Sequence, residues 1–116
     1  MSIYISHSTG YNFREDLYIP LKKIGADFIF PHDTDTNQYP TKELFSSKKC
    51  SLVIAEVSFP STGQGIELGW ANDANIPIIC IYRAGSKYSG SLNVVSEKFL
   101  EYSDAVDLIE KVKQII

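Results

Sequence analysis

The 116-residue chain has little of several things that mark a function class. It holds two cysteines, Cys50 and Cys80, and two histidines, His7 and His32. That inventory gives no zinc site, because the cysteines lack clustered histidines at ligand spacing. Each cysteine lies in or beside an apolar run, so buried free thiols are expected rather than a disulfide. No apolar stretch reaches the ~20 residues that a membrane span needs. Met1 to Ser6 run straight into a strand pattern with no basic leader. A cytoplasmic protein without membrane contact is expected on those grounds. Lys and Arg number 11 against 14 Asp and Glu, for a formal net charge of -3, and no basic cluster stands out. A nucleic-acid polymer is therefore an unsuitable partner, since phosphate neutralisation needs grouped cations. A single nucleotide is not excluded, because backbone N–H groups and a few hydroxyls can hold it. No cofactor and no metal are expected.

What is there reads as one domain over residues 1–116, with 44% hydrophobic and 22% charged residues. Short apolar runs alternate with helical patterns. Ile3-Tyr4-Ile5 is a strand that ends in the polar loop His7-Ser8-Thr9-Gly10. Asn12 and Glu15 have the spacing of a capping box. Phe13, Leu17, Leu21 and Ile24 then share a helical face, interrupted by Pro20 and stopped at Gly25. Phe28-Ile29-Phe30 is a second strand closed by Pro31, and residues 33–40 form a polar loop. Thr41 to Lys49 is helical, and Leu52-Val53-Ile54-Ala55 is a strand covered on both faces. A loop from Ser58 leads to a helix over about Gly65 to Asn75. Ile76 to Tyr82 is another buried strand, Ser86 to Ser91 a Gly/Ser loop, and Phe99-Leu100 a short last strand. Ser103 caps a final helix through Val106, Ile109, Val112 and Ile116. Strands separated by helices imply a parallel sheet with right-handed crossovers. The expected fold is a doubly wound, flavodoxin-like α/β sandwich with five mainly parallel strands in the order 2-1-3-4-5. Such folds bind ligands beyond the carboxyl ends of the strands, at the switch point between strands 1 and 3. That places the Ser6–Gly10 and Ser58–Glu67 segments at one crevice.

The second of these segments carries the chemistry. Gly63 and Gly65 let backbone approach a ligand, and the free N–H groups of a helix start can hold an anion. Glu67, read as a first-turn residue, is favoured in its ionised form by the helix dipole. An ionised carboxylate on a crevice floor can attack an anomeric carbon. A first-turn Glu is also an ordinary dipole partner, and position alone does not separate the two readings.

The stretch Ala55-Glu56-Val57-Ser58-Phe59-Pro60-Ser61-Thr62-Gly63-Gln64-Gly65-Ile66-Glu67-Leu68-Gly69-Trp70-Ala71 resembles the signature of the nucleoside 2-deoxyribosyltransferase-like superfamily. It is most similar to the branch of 2'-deoxynucleoside 5'-phosphate N-hydrolases. The resemblance implies that Glu67 is the nucleophile and that Ser61 contacts the 5'-phosphate. Tyr4 stands where the family has a strand-1 aromatic near sugar and nucleophile. Ser8 and Gly10 fall in the phosphate loop, which here lacks the family's arginine, and Arg14 is a candidate replacement. Ser91 resembles a serine that reaches the phosphate of a neighbouring subunit, which implies a homodimer. The family's second acid maps to Glu43, which equally reads as a solvated helix residue. His32 and Asp33 follow strand 2 and can touch the base or supply a proton, or merely stabilise their turn. His7 can contact ligand or make a strand-end hydrogen bond. Glu56 reads as structural or interfacial, and Trp70 as packing or a dimer contact. The expected activity is cleavage or transfer of the N-glycosidic bond of a 2'-deoxynucleoside or its 5'-monophosphate through a deoxyribosyl-Glu67 intermediate. Two alternatives stand beside it. Ile3-Tyr4-Ile5-Ser6-His7-Ser8 also resembles the opening of a Toll/interleukin receptor-like domain, an NAD glycohydrolase or an interaction module. A non-catalytic nucleotide-binding domain is the other.

Overall fold

A computed structural model of the chain describes residues 2–33 and 39–116. Most of the polar loop expected over 33–40 lies outside the described residues. Five apolar segments become strands: β1 (Ser2–His7), β2 (Phe28–Ile29), β3 (Cys50–Glu56), β4 (Ile78–Arg83) and β5 (Lys98–Tyr102). All pairings are parallel, and the order is β2-β1-β3-β4-β5. This is the doubly wound α/β order expected from the sequence. β1, β3 and β5 run longer than their apolar cores, β2 is one residue shorter, and β4 begins two residues later than expected, at Ile78, and ends one later, at Arg83.

Side-chain alternation divides the core in two. Tyr4, Val53, Ala55, Val57 and Cys80 face a cluster with Phe45, Leu68 and Ala71. Those partners come from α2 (Thr41–Ser46) and α3 (Thr62–Asp73). Ile5, Ile54, Ile81 and Tyr102 face Leu17, Tyr18, Leu21, Leu108 and Val112 on the other side. The first helical segment and α4 (Ala105–Ile115) supply these. Both cysteines are buried free thiols, as expected.

Local chemistry moved several boundaries. The Asn12–Glu15 capping box does not form: no side chain caps this end, and Asn12 contributes its carbonyl to the Asp16 N–H at 3.0 Å. The segment opens as a π-turn, Arg14–Tyr18, with the Ile19 N–H bonded to the Arg14 carbonyl. It continues as α1 (Ile19–Lys22). The wider turn admits Pro20, which has no N–H and would crowd the carbonyl four residues back. Gly25, at φ +77°, is the left-handed stop that the sequence implied. α2 ends at Ser46 rather than Lys49. The Ser46 and Ser47 hydroxyls bond back to the Glu43 and Leu44 carbonyls, and Lys48 turns left-handed at φ +57°. α4 is capped by Asp104, one residue later than expected, whose carboxylate accepts from the Asp107 N–H at 2.8 Å.

The correction that matters most concerns α3. Ser61 is its N-cap, and its Oγ accepts from the Gln64 N–H at 3.2 Å. The helix therefore starts at Thr62, three residues earlier than expected. Gly63 and Gly65 are helical rather than turn residues, and Glu67 belongs to the second turn.

Candidate active site

Glu67 sits at the carboxyl end of the sheet, where β1 and β3 lie side by side in the register Ser6 with Ala55 and His7 with Glu56. Tyr4 and Ser6, two residues apart on β1, point to the same face. The Tyr4 hydroxyl donates to Glu67 Oε2 at 2.9 Å, and Ser6 Oγ donates to Oε1 at 3.3 Å. Each carboxylate oxygen thus has its own donor. Tyr4 spends its proton on Glu67, so Thr41 donates in the 2.8 Å contact between the two hydroxyls. Tyr4 is fully buried. It holds Glu67 from below and is not among the residues that line the cavity above.

Burial pushes the Glu67 carboxyl above the ordinary carboxylate range, while the hydroxyls gathered around it, those of Tyr4, Ser6 and Thr41, pull the other way. The expected helix-dipole effect is not the cause of its character, because that effect fades beyond the first turn. Glu67 is a desolvated carboxylate held by two hydroxyls, those of Tyr4 and Ser6.

A cavity of about 310 Å³ opens above it, lined by His7, Thr9, His32, Tyr39, Ser61, Gly63, Gln64, Ile66 and Trp70 as well as Glu67. Among the residues expected from the sequence, Glu67, Ser61, Gly63 and His32 meet here. A Cβ on Gly63 would meet only Ser61 Oγ, at 3.9 Å, so its bare backbone leaves room for a ligand rather than relieving crowding. A second cavity, of about 360 Å³, holds Ser61, Thr62, Gln64, Gly65, Ser89 and Ser91. Ser61 and Gln64 line both. Ser91, within a single chain, thus faces the start of α3 from a 3-10 turn, Gly90–Val94. The Ser61 Oγ already accepts the cap bond, and its proton is free to donate to an anion.

Other candidates lie elsewhere. Ser8 is buried and Ser8 Oγ accepts from the Gly10 N–H at 3.1 Å, so both belong to a local turn, and Thr9 is the loop residue that reaches the cavity. Asp33 is paired with Lys22 at 2.7 Å. Arg14 donates to the His32 carbonyl at 2.9 Å and so ties the His32 turn to the first helical segment. Glu43 is exposed and lines a neighbouring cavity with Tyr39, Thr41, Lys42 and Trp70. It lies two residues after Thr41, about 200° around the helix from the hydroxyl that stands behind Tyr4.

The histidines differ in kind. His7 Nδ1 lies 2.8 Å from the Ser8 carbonyl, which can only accept, so Nδ1 carries the proton. Nε2 then accepts from the Tyr18 hydroxyl at 2.6 Å, and that hydroxyl in turn accepts from the His32 N–H at 3.1 Å. Burial pushes His7 down to about 4. It is a neutral structural histidine with both nitrogens engaged. His32 is only partly buried, and desolvation followed by the Arg14 charge lowers it.

Sequence reasoning missed Ser6, Thr41, Gln64, Tyr39 and Trp70 as site residues. Ser6 was findable, because it shares the Tyr4 face by the strand period. Glu56 proves structural: its buried carboxylate accepts from the Ser58 N–H at 2.6 Å, from Ser58 Oγ at 3.0 Å and from the Tyr102 hydroxyl. Among the described residues, no group of three or more His, Cys, Asp and Glu could hold a metal ion. No described helix is long and apolar enough to cross a membrane.

The comparisons with known proteins fall on this geometry. No family model matches the chain. A curated protein of Syntrophotalea carbinolica, named "Putative 2'-deoxynucleoside 5'-phosphate N-hydrolase 1", is 42% identical over 40 residues. The chain is similar to the nucleoside 2-deoxyribosyltransferase-like proteins. The matched segment is 34% of this chain and 28% of that relative. The solved structure of the Clostridium botulinum CMP N-glycosidase BcmB has a TM-score of 0.65 at 24% identity, over 97% of this chain and 99% of that one. A conserved protein from Enterococcus faecalis V583 scores 0.59 at 16% identity, over 100% and 99% of the two chains. A response regulator from Burkholderia multivorans scores 0.53 at 16%, over 98% and 93%. These three likenesses establish the fold.

Proposed function

We propose that the protein cleaves or exchanges the N-glycosidic bond of a 2'-deoxynucleoside or its 5'-monophosphate, with Glu67 as the nucleophile. One observation carries the reading. A desolvated carboxylate, with one hydroxyl fixed on each oxygen, forms the wall of a nucleoside-sized cavity. The names of the curated relative and of the botulinum fold neighbour, both enzymes of N-glycosidic bonds in nucleotides, support it.

The chemistry follows from burial. A Glu67 oxygen attacks C1' of the sugar while the C1'–N bond breaks and its electron pair leaves with the base. The buried anion becomes a neutral ester, which removes the cost of holding a charge in a dry site. A proton must reach the departing base. His32 lines the same cavity and takes this role in place of Glu43 and Asp33, through the protonated form that its lowered pKa leaves in the minority at neutral pH. Water, or a second base, then attacks C1' and gives up a proton to the now neutral His32, while the C1'–O bond to Glu67 breaks and Glu67 departs as a carboxylate. Ser61 and the first N–H groups of α3 hold the 5'-phosphate where one is present. A homodimer in which Ser91 also serves the partner's site belongs to the same reading, and a solution mass of two chains tests it.

The decisive experiment incubates the protein with deoxynucleosides, their 5'-monophosphates, CMP and NAD, and follows free base by chromatography. Release from a deoxynucleotide, abolished in Glu67→Gln, is expected. Release from NAD alone would favour the receptor-like alternative. Binding without release would make this a nucleotide-binding domain.

A further inference from the structure

α3 is a poor helix by composition. Gly63, Gly65 and Gly69 lie within its twelve residues. Glycine is the poorest helix former after proline, so these residues weaken the segment's own preference for helix. The helix that carries Glu67 therefore depends on tertiary anchors for its placement. Leu68 and Ala71 supply apolar ones. One turn earlier the same buried stripe is occupied by a polar residue, Gln64, only 5% exposed.

Gln64 has a specific partner. Its Nε2 donates to the backbone carbonyl of Glu56, the last residue of β3, at 2.8 Å. Three residues on, Glu67 receives hydrogen bonds from Tyr4 and Ser6 on β1. Residues three apart on a helix share a face. One helical face is thus tied to two adjacent strands at the same end of the sheet. A single attachment would leave α3 free to roll about its axis, and two attachments on different strands fix that roll. The β3 end is itself held. The Glu56 carboxylate is bonded to Ser58 and Tyr102, and Ser58 Oγ accepts from the Arg83 N–H on β4 at 2.8 Å.

We infer that Gln64 is a positioning residue for Glu67: its bond to the Glu56 carbonyl sets the roll of α3 and so delivers the Glu67 carboxylate onto Tyr4 and Ser6. The inference rests on Glu67 as the nucleophile only for its kinetic consequence. Its geometric content stands separately.

Two variants and two readouts test it. Gln64→Leu keeps the bulk and removes the donor. Gln64→Glu keeps the shape but sets a carboxylate against a carbonyl, a contact that is repulsive when ionised and a hydrogen bond when protonated. The first readout is the titration of the Glu67 carboxyl by NMR of glutamate labelled with carbon-13. A midpoint raised in Gln64→Leu is expected, because Glu67 loses donors that favour its charged form. The second is turnover of 2'-deoxycytidine 5'-monophosphate. A roughly 10–100-fold loss of kcat with KM held within about 2-fold is expected, the scale of a sub-ångström misplacement of a reacting group. Gln64→Glu should lose activity at pH 8 and regain part of it towards pH 6. An unchanged or lowered Glu67 midpoint in Gln64→Leu would overturn the inference. So would a rise in KM with unchanged kcat, which marks a ligand contact. If Gln64→Leu does not fold, exchange of the Gln64 side-chain amide protons in the wild-type protein decides: slow exchange supports the anchor, and exchange at the free-amide rate refutes it. Absence of turnover in the wild-type protein would count against the proposed function, while the titration would still decide the role of Gln64.

Discussion

The Tyr4 hydroxyl meets Glu67 Oε2 at 2.9 Å across 63 residues of sequence. Desolvation raises the Glu67 carboxyl and this hydrogen bond lowers it. Two opposing effects thus converge on one group, and each can be removed by itself.

Removing the donor gives a signed result. The acid limb of kcat/KM should lie above the ordinary carboxylate range, near ~4.3, because Glu67 must be ionised to attack. Tyr4→Phe should move that limb to higher pH. It should also cost roughly 10–100-fold in rate below the limb, the usual worth of one hydrogen bond to a charged group. A pH–rate profile of both proteins checks this.

The same burial makes Glu67 a liability for stability. Its folded-state pKa is raised, so its contribution is fully present below the unfolded value and is lost as pH rises through the folded one. Near pH 8 the charge is a cost. Glu67→Gln should therefore have a higher Tm than wild type at pH 8, by about 2–5 °C for a domain of this size. The gap should close towards pH 4. Thermal melts across that range measure it.

Proton delivery discriminates three carboxyl-edge groups. His32→Gln should lower base release by roughly 10²–10⁴-fold, the range of a general acid. Glu43→Gln and Asp33→Asn should stay within about 2-fold of wild type, since Glu43 lines a different cavity and Asp33 is paired with Lys22. A large loss in Glu43→Gln alone would move the acid to the adjacent cavity.

His7 predicts an acid-sensitive fold. Its pKa falls from 6.5 to about 4 on folding. The stabilisation is complete above the unfolded value and is lost as pH drops through this window. Long-range nitrogen–proton NMR at pH 7 should show the Nδ1-protonated tautomer. Stability should fall between pH 6.5 and about 4, and by less in His7→Gln.

Much of the architecture was legible because it rests on periodicity. The apolar runs at Ile3–Ile5 and Leu52–Ala55 give central strands wherever helices cover both faces, and the alternation with helices sets the order. The boundaries were less legible, because they depend on competing local bonds. Gly63 and Gly65 read as a turn, yet Ser61 caps a helix through both. Glu43 answers to the family's second acid by its place in the chain alone. The chain instead turns so that Thr41, a hydroxyl rather than an acid, stands behind Tyr4. Gln64 gave no signal by type. A glutamine in an apolar stripe becomes meaningful only when its carbonyl partner is known.

The two borders of the sheet have a further consequence. β2 pairs with β1 over only two residues and is closed soon after by Pro31. At the other border, β5 presents exposed Lys98 and Glu101. Short length, proline and outward charge are the features that stop one sheet from templating another. Among the described residues, the short β2 and the charged β5 are thus both poor templates for a strand from another copy. The helical layer differs from these borders, for on α3 the half-exposed Ile66 and Trp70 lie beside the mouth of the Glu67 cavity.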